Sequence, residues 1–239
     1  MSTACAAGSH AVVGSRSDAL RRRLKLVGPA GWDCAGRLRG DPRAAELYPS
    51  LLMLQHMIVR GSVPLLRAAG REALRRAAAG DRVAALLVDH FRRHAEEERR
   101  EEQWLLDDYT ALDRDATEVI VAVPWSTVAA MVGAAYYWVL HHHPVAVLGY
   151  FAVLDGDRPS PVVVADLQAA TGFPVGAFTT LAHRAVADPA ERNELWRLID
   201  VMPMGAAQIE VVTRSAVLSA RLLAAAVDEL LGGGLAESA

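Results

Sequence analysis

Hydrophobic and polar positions alternate with helical spacing almost from end to end of the 239 residues. Between Arg43 and Ala79, the residues Leu47, Leu51, Leu54, Met57 and Ile58 share one stripe, which predicts a long amphipathic helix. Pro64 is expected to break or kink it, because proline removes a backbone donor and crowds the preceding turn. Gly80-Asp81 punctuates the pattern, and Asp81 is placed to cap a second long helix ending near Tyr109. Shorter helices are predicted from Asp18 to Gly28-Pro29, from Ser126 to Pro144, and from there to Gly156. Others follow in VVVADLQAA, from about Gly176 to Ala187, after Asp188 with Pro189 at the first position, and from about Gly205 to Leu231. The run Val119–Trp125 reads as an extended connection, since the sequence offers it no partner strand. The expectation is an all-α, single-domain bundle of about seven to nine helices over residues 18–233, with a disordered tail 1–17 and a flexible end 234–239.

The second long helix breaks the rule of an oily inner face. Val83, Leu87, His90, His94, Glu97, Glu101 and Leu105 fall on one side at about 100° per residue. Apolar residues at both ends direct this side to a core, yet its middle carries imidazoles and carboxylates. Such groups cost several kcal/mol inside a protein unless paired, and a bound cation is one partner. The alternative is a solvated face of weak i,i+4 pairs, which accounts for Arg92, Arg93, Glu96, Arg99, Arg100 and Glu102. It does not account for His94 and Glu101, which are in line with Leu87 and Leu105.

Composition narrows the picture. Hydrophobic residues make up 52 % and aromatics 6 %, which suits close helix packing, and a net charge of −3 argues for no nucleic-acid partner and no anionic membrane surface. The longest oily segment, Thr127–Leu140, is shorter than the roughly 20 residues of a bilayer span, and the N-terminus has no basic leader or long apolar run. A cytoplasmic protein is expected. Cys5 and Cys34 do not make a disulfide framework.

Four places carry side chains able to bind metal. They are His90/His94/Glu97/Glu98/Glu101, the run His141-His142-His143, Asp155 before Gly156, and His183/Arg184/Asp188/Glu191. One helix can aim ligands at i, i+3, i+4 and i+7 toward a single point, as in carboxylate-bridged di-iron bundles. Helix-end, turn and surface roles compete with this reading for the last three groups. No phosphate loop, nucleophile elbow or zinc-like cysteine pair is present.

The segments HAEEERREEQWLLDDY, VGAAYYWVLHHHPVAVLGYFAVLDG and TGFPVGAFTTLAHRAVADPAERNEL, in this order, resemble the haem-oxygenase-like di-iron oxidases, from about Ser50 to the last helix. That resemblance implies a helical bundle that binds one or two Fe2+ ions and uses O2 to oxidise or cleave a small substrate in specialised metabolism, such as an amine or amino acid. It also implies a homodimer. It places metal ligands at His94, Glu97, Glu101, Asp155, Asp188 and Glu191, and catalytic roles at His94, Glu101 and Asp188. Arg184, Tyr137 and His143 are the candidate substrate contacts, with Arg184 gripping an anionic group. The family's last motif, histidine, aspartate four residues on and histidine three further, reads Arg184, Asp188 and Glu191 here. Arginine is no metal ligand, and its permanent charge competes with a cation. The rival expectation is therefore a metal-free relative that binds a small molecule or performs a non-redox acid–base step. A third is a structural partner in a biosynthetic complex.

Overall fold

The computed structural model describes residues 15–27, 33–156, 158–186 and 193–232. Among them eleven α-helices, and no strands, form the predicted all-α domain. They are α1 (Arg16–Val27), α2 (Cys34–Leu38), α3 (Ala44–Ala78), α4 (Arg82–Thr110), α5 (Ala116–Val121), α6 (Ser126–His141), α7 (Ala146–Leu154), α8 (Pro161–Thr171), α9 (Thr179–Val186), α10 (Glu194–Val201) and α11 (Ala206–Leu231). A 3-10 turn, Val175–Phe178, leads into α9. The count exceeds the seven to nine expected because short helices such as α2 and α5 lack the length for a visible period.

The frame is the antiparallel pair α3 and α4, about 50 and 40 Å long at 1.5 Å per residue. Gly80, at φ 91°, makes the reversal between them, a conformation that penalises any side chain. Asp81 then caps α4 by accepting from Ala84 N at 3.0 Å, as predicted. Helices α6, α7 and α11 pack together beside α3, while α8 and α9 close the other flank against α3 and α4. Buried Tyr48, Phe91, Tyr109, Tyr150, Phe151 and Phe178 fill the space between the layers.

Of the break or kink expected at Pro64, the break does not occur: α3 is continuous from Ala44 to Ala78. One lost hydrogen bond is offset by burial, since Val63, Leu65 and Leu66 are all core residues. The extended reading of Val119–Trp125 holds only for residues 122–125, because α5 takes in Val119, Ile120 and Val121. Asp115 caps it, and Arg60 from α3 binds the carbonyls of Ile120 and Ala122 at its end. Helix α1 begins at Arg16, two residues before the Asp18 start, and Ser17 is tied to Asp200 at 2.7 Å. Ser126 opens α6 but makes no cap bond. The helix start at Asp188-Pro189 lies outside the described residues.

Two anchors set α7. Tyr150 and Ser62 hydroxyls meet at 2.9 Å, and Ser62 donates on to Ile58 O. Gly149 lets α7 cross α11 closely: a Cβ there would lie 2.1 Å from Val212 O and 2.8 Å from Ala216 N, both backbone atoms. Gly149→Ala is therefore expected to destabilise the protein by roughly 2–3 kcal/mol in urea unfolding, the cost of forcing a packed interface apart. An unchanged midpoint would refute that account of the crossing.

Candidate functional site

The charged middle of α4 is built into the bundle, rotated by one residue from the predicted stripe. Phe91, Ala95, Glu98 and Leu105 are the buried residues, because these press against the core, while His94 and Glu101 flank them at partial exposure. Glu97 is exposed and reaches only the rim. Glu98 had the better phase, seven residues after Phe91 and seven before Leu105, and spacing could have promoted it over Glu97.

Two cavities meet here. A polar one of about 280 Å³ is walled by α4 together with Asp155, Arg158, His183 and Arg184. An apolar one of about 80 Å³ is walled by leucines and valines of α3, α7, α9 and α11. Glu98, Glu101, Asp155 and Arg184 border both.

Within this partition the charges pair across elements. His94 Nε2 lies 3.7 Å from Glu98 Oε1 and 3.8 Å from Asp155 Oδ2, with its ring packed on Phe151 at 4.0 Å between centroids. Arg184, from α9, donates to Glu101 Oε1 at 3.1 Å and to Leu154 O at 2.7 Å, and its second arm is 3.9 Å from Asp155. Arg158 approaches Asp155 from the other side at 4.0 Å. Burial disfavours a charged His94, yet Glu98, Asp155 and Glu97 outweigh it and push the imidazole up to about 9. Burial raises the Glu98 carboxyl, against the pull of His94. Glu101 strengthens the hold of Arg184 on its proton despite burial. His90, one turn earlier, goes the other way: burial, with His94 and Arg93 adding, lowers it to about 4 and leaves the ring neutral.

A third interaction sets the position of Arg184. Asp108, fully buried on α4, accepts from Thr179 N and Thr180 N at 2.9 Å each, so one helix caps the N-terminus of another. Its place in WLLDD was part of the resemblance, but its role needed the contact to be seen.

The structure thus brings together His94, Glu101, Asp155 and Arg184 from the predicted set and adds Glu98 and Arg158. It does not bring in Tyr137 or His143. Tyr137 is half-exposed on α6 against the rings of Trp138 and His141, because its side chain follows the outer face of that helix. His143 is buried at the α6–α7 turn, where Nδ1 accepts from Val145 N at 3.0 Å and Nε2 meets Asp81 at 2.9 Å. Burial lowers its pKa in spite of Asp81, which fits a neutral ring locking that turn to the cap of α4. Asp188 and Glu191 lie outside the described residues.

A metal ion fits these residues poorly. The Arg184 guanidinium already lies between Glu101 and Asp155, and His94 holds a proton toward the remaining carboxylates instead of a lone pair. Among the described residues no group of three or more histidine, cysteine, aspartate or glutamate side chains is arranged to hold an ion. Cys34, on the apolar cavity, is kept as a thiol, burial pushing it up to about 12. No described helix is long and apolar enough to cross a membrane.

No family model and no curated protein matches the chain. Solved structures do. One is a domain of unknown function with a heme oxygenase-like fold from Shewanella denitrificans OS217, at 14 % identity and a TM-score of 0.71, covering 91 % of this chain and 90 % of that one. Another is a TenA homologue protein from P. horikoshii OT3, at 15 % identity and a TM-score of 0.56, covering 92 % and 100 %. The chain therefore has the haem-oxygenase-like fold that its sequence resembles, and these identities carry nothing beyond the fold.

Two outcomes are expected. Asp108→Ala should cost about 2 kcal/mol, the loss of a buried helix cap, and should speed hydrogen exchange in α9 more than in α3. Stability should also report His94. Its folded pKa stands above the ordinary 6.5, so its contribution is complete below pH 6.5 and is lost as pH rises through about 9. The stability advantage of the natural protein over His94→Gln should shrink across that window in urea melts. An advantage that stays constant would count against the ion pairs.

Proposed function

We propose that this protein binds a small molecule between the two cavities and moves a proton on it without a metal. Glu98 is the observation that carries the reading. It is a buried carboxyl, borders both cavities, and has its pKa raised by burial against the pull of His94. A carboxyl so placed suits a general acid or base. His94 lies at ion-pair distance from both Glu98 and Asp155, and Phe151 packs on the imidazole. Arg184 closes the carboxylate cluster on the α9 side, where its permanent charge competes with a divalent ion for Glu101 and Asp155.

A second reading, O2-dependent oxidation of an amine-like or anionic substrate by bound iron, is favoured by the convergence of His94, Glu98, Asp155 and Glu101. It requires Arg184 to leave Glu101 and Leu154 O.

Metal analysis separates the two. Anaerobically purified protein reconstituted with Fe(II) or Mn(II) and desalted is expected to hold far less than one equivalent, whereas a stoichiometric ion would overturn the metal-free reading. Replacing the competing cation, Arg184→His, should raise Co(II) affinity at least tenfold, read from visible absorption, because a permanent positive charge gives way to a ligand. If the variant folds with the natural thermal midpoint and its affinity does not change, Arg184 is not what keeps metal out.

A further inference from the structure

Helix α6 turns an apolar face to solvent. Its inner side, Val128, Met131, Ala135 and Val139, meets the core, and a surface helix of that kind normally carries charge on its other side. Here the sixteen residues include no aspartate, glutamate, lysine or arginine. The outer side presents Ala129, Ala130, Gly133, Tyr137 and Leu140, the last two more than half exposed. The chain leading into the helix continues the pattern, since Ile120, Val121 and Val123 are exposed as well, Val123 at 84 %. Single apolar side chains on a surface need no explanation, but a continuous strip marks a place that another molecule covers. No residue of α5 or α6 lines either cavity, so this strip stands apart from the site and from the metal-free reading.

The edges of the strip say what covers it. Helix α6 lies between α3 and α11. Val132 packs on Gly61 and Arg76 donates to His142 O, which sets α3 along one side. Thr127 bonds Glu229 at 3.3 Å and Gln208 meets His143 at 3.3 Å, which sets α11 antiparallel along the other. Arg67 and Arg71, one turn apart on α3, and Arg221 on α11 are all exposed. None of the three has a carboxylate at ion-pair distance among the described residues. The neighbouring acids are already engaged, Glu72 by Arg75 and Arg76, Glu118 by Tyr109, Glu210 by Arg214 and Glu229 by Thr127. An uncharged strip is thus edged with surplus positive charge on both sides, in a chain whose net charge is −3.

We propose that this face docks an amphipathic helix of another protein, one whose apolar stripe lies along α6 and whose two edges carry aspartate and glutamate. The dimensions fit a helix. At 1.5 Å per residue α6 offers a strip about 24 Å long. Packed helices lie about 8–10 Å apart, so a helix seated on α6 holds its side rows over α3 and α11. Acidic residues in those rows meet Arg67 and Arg71 on one side and Arg221 on the other. Tyr137 and Leu140 at one end, and Val121 and Val123 at the other, supply the desolvated contacts. A second copy of this chain is a poor occupant, because face-to-face pairing sets arginine edges against arginine edges. An anionic bilayer is drawn to the same arginines, but it repels a chain of net negative charge.

The probe is a synthetic helical peptide of about 18 residues, with leucine and alanine along one stripe and glutamate along both of its edges. Its control carries lysine at those edges. The glutamate peptide is expected to bind the full chain at least tenfold more tightly than the lysine peptide at low salt, and to lose that lead as salt is added. Arg67→Glu combined with Arg71→Glu should level or reverse the preference without lowering the thermal midpoint, since both side chains are exposed and unpaired. Val121→Ser combined with Val123→Ser should weaken both peptides alike. Absence of binding, equal binding of the two peptides, or a preference that survives the arginine reversals overturns the proposal. So does a different occupant: a dimer in sedimentation that Val123→Glu splits, or cosedimentation with phosphatidylserine vesicles that Val123→Glu abolishes. The natural chain is expected to show neither.

Discussion

Buried charge must be compensated, and in this bundle compensation comes from cations that the chain itself supplies. Glu98 is buried, and Glu101 and Asp155 partly buried, beside leucine, valine and aromatic side chains, where an unpaired carboxylate is costly. His94 and Arg184 meet that demand from two helices, and Arg158 contributes from the chain after α7. The network is what ties α4, α7 and α9 into one site. It also sets the chemistry, since a permanent guanidinium in the cluster changes what can bind there.

The rest of the fold holds this network in register. Gly149 brings α7 against α11, and the Tyr150–Ser62 contact fixes α7 on α3, which places Phe151 under the His94 ring. Asp108 places the start of α9, and five residues on from Thr179 that helix presents Arg184. His143 and Asp81 hold the turn before α7 to the cap of α4. Each of these polar contacts is buried or partly buried and joins elements far apart in sequence. Their removal would loosen the site before it unfolded the domain.

The likeness to structures at 14 and 15 % identity shows how widely this helical frame is reused. A frame built from long packed helices keeps its shape under extensive core exchange, provided volume and pattern are kept. Site chemistry has no such tolerance. A single side chain such as Arg184 sets the charge of the site while the helix that carries it keeps its place in the frame.

Much of the fold was legible in the residues alone. Helical periodicity, the Asp81 cap and the breaks at Gly80 and Pro144 are local matters of backbone and spacing, and they located most helices within a few residues. The presence of a charged core on α4, and the membership of His94, Glu101, Asp155 and Arg184 in it, was also legible, since all lie in segments carrying the resemblance. Three things were not. Which carboxylate is buried, Glu98 and not Glu97, depends on the rotation of α4 against α3, a difference of one residue that only the Phe91–Glu98–Leu105 spacing hinted at. The dismissal of Tyr137 and His143 from the site depends on which neighbours α6 meets. The continuity of α3 through Pro64 depends on burial contributed by partners distant in the chain. Local preference is written residue by residue, but charge pairing and facing arise only when helices separated by tens of residues are packed together.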